Sequence, residues 1–168
     1  MKFSNIFLGE NVEIDETSNF NNVRLGNNVK IARYCCVFGA PSHPAVIGNN
    51  TIITMMCIIN GYDAPLIIGE RGNIGQHVHI MTGSGPDASP RLQKVFPLVK
   101  GPVKIGNDCW IGADSIIMPN VTLGSFCVVA SNSFVNKSFE DYSIIGGNPA
   151  RLIRSFTQDE IKMILSND

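Results

Sequence analysis

Residues 105–135 read IGNDCW IGADSI IMPNVT LGSFCV VASNSF V. An aliphatic residue returns at every sixth position: Ile105, Ile111, Ile117, Leu123, Val129 and Val135. A compact residue follows four places after most of them, as Cys109, Ser115, Val121, Cys127 and Ser133. On a strand, residues two apart share a face, so the compact residue and the next aliphatic both point inward. The Gly- and Asn-rich positions between them suit a tight bend, where both residues tolerate unusual dihedrals. Three short strands and three bends close one triangular coil, and stacked coils pair their backbones at about 4.8 Å. The pattern predicts an all-β fold, a parallel β-helix of hexapeptide repeats.

The unit recurs upstream as LGENVE, LGNNVK, IGNNTI and IGQHVH. The inward residues fall into six groups of three: Leu8, Ile14, Phe20; Leu25, Ile31, Val37; Ile47, Ile53, Ile59; Ile68, Ile74, Ile80; Ile105, Ile111, Ile117; Leu123, Val129, Val135. Each group is one coil. The spacing inside a group is always six, and every irregular spacing falls between groups. All insertions therefore leave from one corner of the prism. The largest, residues 84–102, is a long Pro-containing loop of the kind that more often serves function than not.

Four of the five cysteines, Cys35, Cys57, Cys109 and Cys127, occupy the inward compact position and read as packing residues; Cys36 points outward. Several outward positions are apolar: Ile58, Trp110, Ile116, Val128 and Phe134, with Met55 and Met56 at a bend. Such a stripe predicts a subunit interface. The repeat is expected to end near Ser138. Beyond it, Thr157 and Glu160 form a capping-box pattern ahead of the stripe Ile161, Ile164, Leu165. The expectation is one β-helix domain over residues 1–154, then a short helix over 155–168 packing on it.

Composition agrees. The chain has 168 residues and a net charge of −1, with 44% apolar and 16% charged residues. That balance argues against a nucleic-acid partner. No run approaches the ~20 apolar residues of a membrane span, and the start lacks a signal-peptide pattern, so a cytoplasmic setting is expected. With 16 glycines and nine prolines the chain cannot be mostly long helix.

The run from Ile105 to Arg154, with its WIG unit and its GGNPAR exit, resembles the hexapeptide-repeat acyltransferases, nearest the galactoside, maltose and polysaccharide O-acetyltransferases. The resemblance implies a left-handed helix, a homotrimer with sites between subunits, and acetyl-CoA as donor, without a metal. It implies transfer to a hydroxyl, or an amine, of a sugar that is a surface-polysaccharide precursor. Carried over position by position, the pantetheine arm runs past the backbone of Ala113 and Ser131. The nucleotide phosphates meet Lys137, Arg151 and Arg154, and Trp110 lines the groove. Ala113 and Ser131 lie one coil apart on one edge, and cations near the exit suit phosphates.

In the look-alikes a His general base ends the hexad before the long loop. Here that position is Gly85. The candidates that remain are His79, which ends IGQHVH and points outward, as in the related sugar N-acetyltransferases; His43, in an insertion at the loop corner; and His77, at a bend. Base-free transfer stays open beside them. Asp63, Asp87 and Arg91 share the loop corner and are candidates to orient a base or hold an acceptor. The acceptor-contacting carboxylate of the look-alikes is replaced by Asn60, and a neighbouring Asn by Met55, which argues against galactoside or maltose. Two other classes compete. One is a catalytically degenerate hexapeptide protein that binds a ligand or partner. The other is a zinc hydratase with three His shared across an interface.

Overall fold

The computed structural model describes residues 4–166, so the outermost residues of the expected domain and helix lie outside the described residues. The chain is a parallel β-helix with three faces. The first face stacks six strands, from Ile6–Leu8 up to Thr122–Leu123. The second begins with Glu13–Ile14 and the third with Asn19–Asn21. Every neighbouring pair within the coils is parallel and in the expected register: Ile68 pairs with Ile47 and Ile105, Ile74 with Ile53 and Ile111, Ile80 with Ile59 and Ile117.

The inward residues form one continuous core. From Leu25 to Val135 every predicted inward aliphatic is buried. Among the described residues no coil lies below the first, where Leu8 is exposed and Ile14 and Phe20 are half-buried. The four inward cysteines are buried and free. Each thiol donates to a carbonyl, as from Cys35 to Thr54 at 3.0 Å and from Cys109 to Gly124 at 3.1 Å. They are core residues with a weak hydrogen bond each.

The bends work differently from the sequence expectation. The eight glycines that follow an inward aliphatic do not take left-handed backbone. They are needed because the next coil lies too close. A Cβ on Gly106 would sit 2.5 Å from the Ser125 nitrogen, and one on Gly112 would sit 2.5 Å from the Ser131 nitrogen. The left-handed turn falls two residues later, on Asn11, Asn28, Asn50, Asp108 and Asp114, where a short polar side chain offsets the strain, and on Arg71, His77 and Phe126. At the edge between the first and second faces these side chains form a ladder. Asn11 donates to Asn28 at 3.2 Å and Asn28 to Asn50 at 2.9 Å. Arg71 and Asp108 continue it with a two-pronged ion pair at 2.7 and 2.8 Å.

The repeat also runs further than expected. Ser143–Gly147 adds a further strand to the second face, with Ile145 buried over Val129. Ala150–Ser155 then folds back antiparallel on it and closes the pairing of that face. The long loop leaves as a two-residue hairpin, Gly83–Ser84 against Val99–Lys100, that carries a one-turn helix, α1 (Pro90–Gln93). The C-terminal helix, α2 (Gln158–Leu165), has the predicted capping box. It buries no residue on the prism, contrary to the packing expected. Its anchor is polar: Glu160 receives both guanidinium nitrogens of Arg154 at 2.8 and 2.9 Å and the Thr157 amide at 2.7 Å.

Two outcomes follow. Ile111→Ala removes a fully buried side chain from a close-packed interior and should cost about 2–5 kcal/mol in urea unfolding; a cost below ~1 kcal/mol would contradict the stacked core. The Arg154 guanidinium, with the Thr157 amide, holds the Glu160 carboxyl down to about 2. A depressed carboxylate stabilises the fold above its unfolded value and loses that contribution as pH falls toward the folded one. The Thr157 amide resonance should therefore titrate with a midpoint near 2 rather than in the ordinary Glu range, and Glu160→Gln should abolish the transition.

Candidate active site

The prism has three edges, and the site residues divide between two of them. The edge between the second and third faces is built from equivalent bends of successive coils: residues 54–57, 75–78, 112–115 and 130–133. Backbone bonds tie it together, from the Asp114 amide to the Gln76 carbonyl at 2.8 Å and from Asn132 to Ala113 at 2.8 Å. A Cβ on Gly75 would lie 2.7 Å from the Ala113 nitrogen. Ala113 and Ser131 stack one coil apart with only small side chains, and the exposed Gln76 continues their register one coil further down; Gly75 is the buried residue beside it, its amide on the Ile111 carbonyl at 2.8 Å. Trp110 stands beside this edge on the second face, 56% exposed.

The same edge carries a column of outward side chains at the left-handed positions: Tyr34, Met56, His77, Asp114 and Asn132. Within it, His77 Nδ1 lies 3.2 Å from Asp114 Oδ1, and His77 Nε2 lies 2.8 Å from Met56 Sδ. On sequence alone this imidazole is one of three candidate bases, placed only at a bend. The pairing was there to be read, because His77 and Asp114 hold the same place in IGQHVH and IGADSI, one coil apart.

The loop corner, between the third and first faces, gathers His43, Asn60, Asp63 and the base of the loop. His43 is committed at both nitrogens, to Ser42 Oγ at 2.9 Å and to the Tyr62 carbonyl at 3.2 Å. Asn60 Oδ1 accepts from the Tyr62 amide at 3.0 Å. Asp63 clasps the loop hairpin through Lys100, at 2.6 Å, and its carboxylate raises the Lys100 ammonium above its usual range. Asp87 and Arg91 are exposed on the loop. Gly85 has φ +155°, and a Cβ there would meet Leu98 at 2.7 Å, so no side chain fits without rearrangement.

His79 lies between the two edges, on the third face. It is half-buried in an outward row between Ile58 and Ile116, and among the described residues no side-chain hydrogen bond holds its ring. The expected phosphate ligands are also divided. Arg151 is exposed on the closing strand of the second face, its guanidinium on its neighbour's carbonyl at 2.9 Å. Arg154 on that strand is taken by Glu160. Lys137 follows the last third-face strand and sits over the Phe139 ring at 5.3 Å. On one chain the third face therefore separates the loop corner from the smooth edge. Among the described residues no three His, Cys, Asp or Glu side chains group as a metal site, and no helix is long and apolar enough to cross a membrane.

Known proteins share this architecture. The model of the bacterial transferase hexapeptide (six repeats) family matches residues 102–137. The chain is 30% identical over 155 residues to a chloramphenicol acetyltransferase of Escherichia coli, covering 82% of this chain and 73% of that protein. It is 33% identical over 117 residues to a chloramphenicol acetyltransferase of Agrobacterium fabrum, covering 68% of this chain and 56% of that protein, little more than half its length. A variant of AntD, an N-acyltransferase from Bacillus cereus, solved with dTDP-4-amino-4,6-dideoxyglucose and coenzyme A, superposes with a TM-score of 0.80 at 25% identity. That match covers 94% of this chain and 87% of AntD. By the E. coli match, the repeat pattern and the fold, the chain belongs to the hexapeptide-repeat acyltransferase family.

Proposed function

We propose that this chain is an acyltransferase that moves an acetyl group from acetyl-CoA to a hydroxyl or amine of a sugar, a surface-polysaccharide precursor in the cytoplasm. The observation that carries the reading is the smooth edge. Ala113 and Ser131, one coil apart, carry only small side chains, which leaves room along their main chain for an extended pantetheine arm with amides of its own. Arg151, near the upper end of that edge, suits the phosphates of the nucleotide. Trp110 offers its exposed ring to the groove. Coenzyme A in the AntD complex supports the donor, and the sugar nucleotide there supports the acceptor class. The chloramphenicol acetyltransferases named among the relatives make a drug hydroxyl the second acceptor to try.

The site needs a second copy. The loop corner and the donor edge lie on opposite borders of the third face, so one chain cannot bring its own loop to its own edge. Three copies around a common axis would place the loop of one subunit against the edge of the next. They would also cover the exposed Met55, Met56, Ile58 and Trp110 and the loop's Leu92, Val95 and Phe96.

Calorimetric titration with acetyl-CoA should saturate, and Arg151→Ala should weaken binding about tenfold or more, as loss of a charge-assisted hydrogen bond does. Free-thiol release should then appear with dTDP-4-amino-4,6-dideoxyglucose or chloramphenicol. No binding at millimolar acetyl-CoA would overturn the donor reading and favour a catalytically degenerate protein.

A further inference from the structure

We propose that His77, oriented by Asp114, is the general base of the transfer, in place of His79 or His43. The inference rests on the donor reading above and adds the group that moves the proton. A donor arm laid along Ser131 and then Ala113 advances one coil, about 4.8 Å, per step down the prism. The next step reaches the bend of residues 75–78. His77 stands on that bend, one coil beyond Ala113, where the reacting end of the arm would lie.

Its local geometry fits the role. The left-handed backbone at φ +56° throws the side chain out of the edge rather than along either face. The ring is half exposed, with 51% of the side chain open to solvent, so an acceptor can reach it. The Asp114 carboxylate faces Nδ1 at 3.2 Å and accepts its proton. That leaves the lone pair of the neutral ring on Nε2, the arrangement by which a carboxylate fixes the tautomer of a catalytic imidazole. The atom facing Nε2 is the Met56 sulfur, which has no proton to give and sits on a flexible chain. An acceptor O–H or N–H can displace it.

The other two imidazoles lack this arrangement. His43 has both nitrogens committed at the loop corner. His79 has no orienting partner among the described residues and lies in an apolar row. In the step assigned to His77, Nε2 takes the acceptor proton as the acceptor oxygen or nitrogen bonds to the acetyl carbon. The carbon–sulfur bond breaks, and the proton passes from Nε2 to the sulfur, which leaves as the free thiol of CoA. Asp114 is a positioning residue.

Imidazole NMR on 15N-histidine protein tests this, since the chain holds only three histidines. With signals assigned through His77→Asn, His77 should show a protonated Nδ1 and an unprotonated Nε2, and acetyl-CoA should shift its resonances. In thiol-release assays with the active acceptor of the pair above, His77→Asn should lower kcat by about 10²–10⁴-fold with donor Kd changed less than about threefold. Asp114→Asn should lower kcat and scramble the His77 tautomer. If acetyl-CoA binds but leaves the His77 signals unmoved, or if His77→Asn keeps full kcat, the base assignment falls and the donor reading stands. If acetyl-CoA does not bind, both fall.

Discussion

Everything in this molecule depends on one constraint: successive coils must approach to strand-pairing distance, about 4.8 Å, on all three faces at once. Meeting it buries the aliphatics of the hexads from Leu25 to Val135 against those above and below, and the core becomes one continuous column. The same closeness leaves no room for a Cβ where the chain rounds a corner. The eight glycines after the inward aliphatics answer to that crowding, as the 2.5 Å gap between a Cβ on Gly112 and the Ser131 nitrogen shows. The turn itself is left to Asn, Asp and occasional larger residues in left-handed backbone.

The chemistry is a by-product of the crowding. At these crowded bends the small residues Ala113 and Ser131 stack one coil apart, and an extended amide-bearing ligand can lie along them. Bends that must carry a left-handed residue display that side chain outward, one per coil. So two residues far apart in sequence, His77 and Asp114, come within 3.2 Å because they share a hexad position. The long loop enters between their coils and changes the sequence distance between them without changing the stacking.

The core was legible because its period is strict. Each of Ile47, Ile53 and Ile59, and each counterpart through Val135, sits where the six-residue count puts it. The end of the repeat was harder to see. Phe139 bridges Leu123 and Ile145 pairs with Val129, so the last partial coil is shorter than those before it and opens on an aromatic residue. The helix α2 was legible from Thr157 and Glu160 because a capping box is local, but its failure to bury a face is a tertiary fact. The donor-side residues were named through resemblance, and the stacking of small side chains gives Ala113 and Ser131 a physical reason. Sequence alone leaves three candidate imidazoles, and hydrogen-bond partners, which a linear count does not reveal, separate them: His43 is committed, His77 is oriented, and among the described residues no side chain holds His79.

The edge that carries Ala113 and Ser131 is proposed as the donor track, completed by a neighbouring copy. A crystal structure of the protein with coenzyme A tests it most directly. The expected result is pantetheine amides bonded to the main chain of Ala113 and Ser131, the thiol at the level of His77, and a second subunit's loop closing the groove. Coenzyme A bound on another edge or face, or on a lone chain with no neighbour at the thiol, would contradict it.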